Sequence, residues 1–206
     1  MTKITMIDYG ASNIRSAQKA FEYIGADVLL TSNPTDVVAA IDEGTKLVLP
    51  GVGAFGSGIA AVRKRGLEEA IHEAVKQGVL LLGICVGMQF LFEESDEMGQ
   101  HTGLGLIPGH VTRFPANGLK VPHMGWNELE FDDSHPLLQD VEQGDHTYFV
   151  HSYYCSPTDP THTVAQASYG RPFSAIVHHE NVYGLQFHPE KSQRVGLQIL
   201  RNYLEI

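Results

Sequence analysis

Val79-Leu80-Leu81-Leu82-Gly83-Ile84-Cys85-Val86-Gly87 is the most apolar run in the chain, and it ends in a cysteine held between two glycines. An unbroken apolar run reads as a strand covered on both faces. MQFLF, at 88–92, reads as the helix that follows. Gly83-Ile84-Cys85-Val86-Gly87 is therefore the thiol version of the G-x-S-x-G nucleophile elbow. A strained turn lifts the nucleophile clear of the sheet, and side chains two residues to either side would collide with neighbouring backbone. The helix N-terminus beyond it favours thiolate over thiol. The backbone N–H of Val86 supplies half of an oxyanion hole. A buried structural cysteine at a strand end is the plain alternative, but it gives no reason for both glycines.

Ahead of this run, short apolar stretches at 3–8, 27–30 and 46–50 alternate with residues at helical spacing. Ile14, Ala17, Phe21 and Ile24 mark one helix, and Leu67, Ala70, Ile71, Ala74 and Val75 another. This alternation implies a parallel sheet covered on both sides. After about residue 105 the pattern changes. Strands are expected at 109–114, 121–131, 148–154, 163–168, 174–178 and 182–187, and Val195, Ile199, Leu200 and Tyr203 give a closing helix. No repeat or linker interrupts the chain. The expectation is one α/β domain, 1–206, whose second half adds antiparallel strands.

The strand at 46–50 runs into Gly51-Val52-Gly53-Ala54-Phe55-Gly56, which fits the dinucleotide fingerprint G-x-G-x-x-G. That fingerprint needs an acidic residue at the end of the next strand. The next strand ends instead in Cys85, while Glu68, Glu69 and Glu73 lie within the helix. What remains is a flexible loop with exposed N–H groups, suited to an anionic centre. Val52 and Gly53 are the natural source of the second oxyanion donor.

A thiolate attacking an amide needs a proton carrier for the leaving ammonia, usually a histidine held by a carboxylate. Gly184-Leu185-Gln186-Phe187-His188-Pro189-Glu190 places a histidine at the end of an apolar strand, with Glu190 two residues on and opening the last helix. His-x-Glu also begins the zinc deaminase signature, but no P-C-x-x-C follows. His178-His179-Glu180 lacks a partner cluster, so no metal and no cofactor are expected.

Composition excludes other classes. Among 206 residues, 43% are hydrophobic and 18% charged, a globular balance. A net charge of −10 without a basic run argues against nucleic acid, which needs clustered cations. Two cysteines, Cys85 and Cys155, give no disulfide framework, which favours a reducing compartment, and Cys155 reads as a structural thiol. Neither a signal-peptide core nor a membrane-length apolar stretch is present, so a cytoplasmic protein is expected.

PGVGAFG at 50–56, GICVGMQ at 83–89 and FHPEKS at 187–192 resemble the three landmarks of the triad (class I) glutamine amidotransferases. DYGASNIRS at 8–16, GLGLIPG at 103–109, VPHMGWNEL at 121–129 and YFVHSYY at 148–154 narrow the resemblance to the glutaminase subunits of imidazole glycerol phosphate synthase. The resemblance implies a flavodoxin/Rossmann-like three-layer α/β fold and a Cys85–His188–Glu190 triad that hydrolyses glutamine through a thioester. Gly53, Gln89 and Glu97 match glutamine-holding positions, with His151 and Ser152 offering backbone contacts. The ammonia would pass to a separate (β/α)8-barrel cyclase subunit in a heterodimer. Asn13, Pro122, Met124, Trp126, Tyr148 and Lys191 map to the face against that barrel. Two positions depart from the family: Val86 stands where Leu is common, and Ser12 where Gly is usual.

Read without the resemblance, PHMGWN is either a satellite core under a loop or an aromatic anchor at a partner interface. Other functions stay open beside the first. They are a glutaminase serving another acceptor (pyridoxal phosphate, anthranilate or a purine precursor), a silent scaffold of the same fold, and a redox-sensing cysteine domain. A silent copy has no reason to keep Cys85, His188 and Glu190 together, and a redox sensor has no need of His-Pro-Glu.

Overall fold

The computed structural model describes residues 2–10, 13–116, 118–131 and 135–206, so Ser12 lies outside the described residues. The first half runs β1 (Lys3–Ile7), α1 (Ile14–Tyr23), β2 (Asp27–Thr31), α2 (Pro34–Glu43), β3 (Lys46–Gly51), α3 (Phe55–Lys64), α4 (Leu67–Lys76), β4 (Leu81–Cys85) and α5 (Val86–Phe90). The second half continues β5 (Phe92–Ser95), β6 (His101–Thr102), β7 (Ile107–Arg113), β8 (His123–Glu128), β9 (His146–His151) and β10 (Tyr153–Pro157). It closes with β11 (Thr163–Ser168), β12 (Pro172–His179), β13 (Val182–Leu185) and α6 (Gln193–Glu205). No helix among the described residues is long and apolar enough to cross a membrane.

Among the described residues a seven-stranded sheet has the order β11-β12-β13-β4-β3-β1-β2. The run from β13 to β2 is parallel, and β11 and β12 extend it antiparallel. The path moves outward from β1 to β2 and then returns past β1 to β3. Right-handed crossovers therefore put α1 on one face, and α2, α3 and α4 on the other. This reversal makes a crevice beyond the C-terminal ends of the central strands, where α/β sheets bind ligands. β4 is buried at every position, as its unbroken apolar run requires. Against it, the Tyr203 hydroxyl of α6 lies 2.9 and 3.0 Å from the carbonyls of Leu47 and Leu80. Lys46 meets the last turn of α6, donating to the carbonyls of Tyr203 and Leu204 at 2.8 and 2.7 Å.

The second half does add antiparallel strands, in part as β11 and β12 of the main sheet and in part in two further sheets, β10-β7-β5-β6 and β8-β9. Several expectations need correction. The strand expected over 148–154 is two strands in two of those sheets. The chain breaks at Ser152, whose carbonyl accepts the Phe114 N–H at 3.1 Å while β10 turns to pair with β7. MQFLF does not continue as a helix: α5 stops at Phe90, and Phe92 begins β5 beside β7. Glu190 sits in a separate 3₁₀ turn, Pro189–Lys191, ahead of α6. Two helices escaped the periodicity. α2 is signalled locally by the Asn33 cap, which accepts the Thr35 N–H at 3.1 Å, then by Pro34 and by left-handed Gly44. α3 begins at Phe55, inside the supposed glycine loop.

Candidate active site

Cys85 ends β4 with φ 56° and ψ −111°, a backbone conformation that side-chain-bearing residues rarely adopt. Such strain costs about 1–3 kcal/mol and persists only where the surroundings impose it. The glycines beside it permit the turn to sit tightly on its neighbours. A Cβ on Gly83 would come 2.6 Å from the Gly87 carbonyl oxygen, and one on Gly87 would overlap the Leu49 carbonyl. The helix that follows is only five residues long, so its dipole is short.

The histidine arrives from the adjacent strand. β13 pairs parallel with β4, Leu185 opposite Ile84, so both chains leave the sheet at the same edge. Three residues later His188 faces the thiol, and its Nδ1 lies 2.9 Å from Glu190 Oε1. His188 and Glu190 side chains are almost wholly buried. Burial disfavours the imidazolium, but hydrogen bonds with Cys85 and Glu190, together with their charges, outweigh it and push the His188 pKa up to about 10. The thiol, the imidazole and the carboxyl group thus stand in line, with His188 between the other two.

Around the thiol lies a cleft of ≈ 330 Å³ whose lining includes Val52, Gly53, Val86, Gln89, Glu97 and His188. Pro122, His151 and Ser152 line it as well. Glu97 Oε2 accepts the Phe55 N–H at 2.6 Å, so the carboxylate caps α3 and ties the glycine loop to the far wall. Gln89 donates from Nε2 to the Tyr153 carbonyl at 3.1 Å and to Gln186 Oε1 at 3.3 Å. The glycine-rich loop is shorter than the sequence suggests, spanning Val52 to Ala54, with Gly53 at φ 98°. The Val52 N–H faces the hydroxyl of Tyr9, a buried residue at the end of β1. Burial, then the charge of Cys85, pushes the Tyr9 pKa upward.

The remaining predicted residues lie in three places. Met124 and Trp126 are exposed (63% and 46%) on the outer face of β8. Trp126 meets Tyr148 edge-on at 5.9 Å, and Lys191 Nζ lies 5.9 Å from the Tyr148 ring centroid. Pro122 instead faces the cleft. Asn13, left-handed at φ 66°, lines a small hollow with Gly51, Val52, His188 and Glu190. Sequence reasoning missed Tyr9, Gln186 and His123. Tyr9 stands two residues past the end of β1, at the edge where sites form, which was the available signal. Gln186 and His123 carried none, because cross-strand pairing brings them in.

The sequence profile of the glutamine amidotransferase class-I family matches residues 5–206. The imidazole glycerol phosphate synthase subunit HisH of Salinibacter ruber is 49% identical, covering 97% of this chain and 92% of its own. The protein of that name from Geobacter sulfurreducens is 47% identical over the full length of both. A crystal structure of a glutamine amidotransferase superposes with TM-score 0.75 at 20% identity, covering 98% of this chain and 97% of that one. The structure of PurLQS from Thermotoga maritima gives TM-score 0.73 at 20% identity over 99% and 98% of the two chains. These structural likenesses speak to the fold.

Proposed function

Since this chain belongs to the class-I glutamine amidotransferases, and among them to the HisH subunits of imidazole glycerol phosphate synthase, we propose that Cys85, His188 and Glu190 are the centre of its glutamine hydrolysis. The protein is the glutaminase subunit of that synthase, an enzyme of histidine biosynthesis. The observation that carries the site assignment is the meeting of a strained thiol with a buried His–Glu pair at the mouth of one cleft.

In the proposed reaction the Cys85 thiolate adds to the carboxamide carbon of glutamine. The negative charge that forms on oxygen is taken by the Val86 N–H and a donor from Val52 or Gly53. The His188 imidazolium gives its proton to the amide nitrogen, the C–N bond breaks, and ammonia leaves a thioester. Water then attacks the thioester, His188 accepts its proton, and the C–S bond breaks to release glutamate and restore the thiolate. Glu190 holds the ring through Nδ1 and stabilises its charged form. Gln89, Gly53 and Glu97, with the backbone at His151 and Ser152, hold the amino-acid end.

The ammonia goes to a cyclase partner, read here as a (β/α)8-barrel that joins the chain in a heterodimer, with residues 1–206 acting as one domain. The face of Met124, Trp126, Tyr148 and Lys191 supports the reading, since exposed aromatic anchors beside a cation suit a buried interface. Pro122 lines the cleft itself, and Asn13 the small hollow beside His188 and Glu190.

The test is glutamate release from glutamine by the purified chain, with and without a candidate cyclase and its nucleotide substrate, using Cys85→Ala as the blank. Release that rises with cyclase and nucleotide, and is absent from the blank, is the expected result. Release indifferent to the cyclase reassigns the acceptor; no release by folded protein removes the catalytic assignment.

A further inference from the structure

The sequence PHMGWN divides by the two-residue period of its strand. On β8, Met124 and Trp126 point outward, while His123 and Asn127 are turned toward the interior. The outward pair belongs to the proposed partner face; the inward pair takes no part in it. His123 stands opposite His151 across the β8–β9 pairing, with 3.1 Å between His123 Nδ1 and His151 Nε2.

The protons of this pair are determined from both ends. Asn127 Oδ1 accepts the Glu128 N–H at 2.9 Å, so Nδ2 is the group directed inward. It donates to the Ser168 carbonyl at 2.9 Å and to His123 Nε2 at 3.3 Å. His123 therefore carries its proton on Nδ1 and donates it to His151 Nε2. At the other end, His151 Nδ1 lies 2.8 Å from the Tyr153 carbonyl, which only accepts. His151 must hold its proton on Nδ1 as well, and every link points the same way.

Both rings are fixed in place and neutral. His123 stacks on Tyr169 at 4.2 Å and on Phe149 at 5.2 Å, and His151 packs against Phe173 at 5.0 Å. Burial lowers the pKa of His123 to about 4 and that of His151 to about 3. Each ring at neutral pH has one N–H to give.

The chain of donors ends on the carbonyl of Tyr153, which also takes one N–H of Gln89. The other N–H of Gln89 goes to Gln186. With both amide hydrogens committed, Gln89 has its Oε1 left to act as an acceptor in the cleft it lines, the chemistry an α-ammonium group requires.

We propose that His123 is a positioning residue for glutamine binding, acting from Asn127 through His151 and the Tyr153 carbonyl to hold Gln89 with its oxygen toward the substrate. The relay starts on the strand that bears Trp126 and ends in the substrate cleft, so it joins the outer face to the binding pocket. The inference rests on the reading of the cleft as a glutamine site.

The test has two arms on the full-length chain. Long-range ¹H–¹⁵N spectra of ¹⁵N-histidine-labelled protein report which nitrogen of each ring is protonated. Glutamine affinity is measured by titration in the Cys85→Ala background, with His123→Leu and His123→Asn added. Both rings are expected in the Nδ1–H form. His123→Leu, checked for native thermal unfolding, weakens glutamine binding about ten-fold, the scale of one neutral hydrogen bond. His123→Asn places an N–H where Nδ1 stood and returns affinity to within about three-fold of the parent, less than half a kcal/mol per factor of two. Either ring in the Nε2–H form, or a His123→Leu chain that binds glutamine as the parent does, overturns the proposal. A parent that binds no glutamine overturns the reading of the cleft itself, whereas the tautomers judge the relay whether or not His123→Leu folds.

Discussion

The backbone N–H of His188 donates to the carbonyl of Tyr148 at 2.9 Å, so the proposed base hangs from the strand that carries part of the outer face. Ser192 closes the loop between them. Its hydroxyl accepts the Tyr148 N–H at 2.9 Å and donates to the His188 carbonyl at 2.7 Å. Ser192→Ala leaves both backbone groups short of a partner, and Ser192 is fully buried. The expected cost is about 1–3 kcal/mol of stability. Loss of kcat for glutamate release should exceed any change in KM, because the base and not the substrate is displaced. Thermal unfolding and steady-state kinetics of the variant check this, and unchanged kcat would separate Ser192 from the base.

The two cysteines should react differently. Cys85 lines the cleft, whereas Cys155 is buried, and burial, then the charge of Cys85, raises its pKa well above the ordinary thiol range. Brief iodoacetamide treatment of native protein should alkylate Cys85 and spare Cys155, as peptide mass spectrometry would read. Equal labelling would mean that the thiols are not distinguished by their surroundings.

Acid should destabilise the fold through His123 and His151. Their folded pKa values of about 4 and about 3 lie below the ordinary 6.5, so the unfolded chain binds more protons between those limits. Their neutral burial is costless above pH 6.5 and is penalised progressively as pH falls from there toward 4. His188 acts with the opposite sign. Its contribution is complete below 6.5 and is lost as pH rises through about 10. Melting temperature should therefore peak near neutrality and fall on both sides, with His123→Leu flattening the acid limb. A flat profile from pH 4 to 7, the span of the lowered histidine values, would contradict the assignment.

The Tyr9 hydroxyl is buried, and the Val52 N–H that faces it does not reach full hydrogen-bond geometry. Tyr9→Phe keeps the ring's edge contact with Phe90 and removes only the stranded polar group. The variant should be as stable as the parent or more so, by up to about 1 kcal/mol. A marked loss in chemical denaturation would show that the hydroxyl is bonded in solution.

Legibility in the sequence followed the range of the interactions. The elbow at 83–87 could be read because its causes are local: an apolar run, a cysteine and two glycines forced by close backbone. Strand–helix alternation through β1 to β4 was visible for the same reason. The break at Ser152 was hidden, since alternation continues through it and only the pairing partners change from β8 to β7. His123 and His151 sit far apart in the chain and carry no spacing signal; register alone sets them side by side. The helix at 34–43 did carry its capping signal, at Asn33-Pro34 and Gly44, though its apolar spacing was too weak to draw notice.

The place of β13 in the main sheet has a consequence for biogenesis. It slots between β12 and β4, although among the described residues it is the last strand in chain order. Until it arrives, the emerging polypeptide carries β4 with one side unpaired, an apolar edge open to other chains. The thiol likewise lacks the imidazole of His188 until the segment after β13 has left the ribosome. Pairing of the thiol with its histidine thus waits on β13, and a product cut short of that strand is left with the edge of β4 open, a natural client for chaperones and proteases.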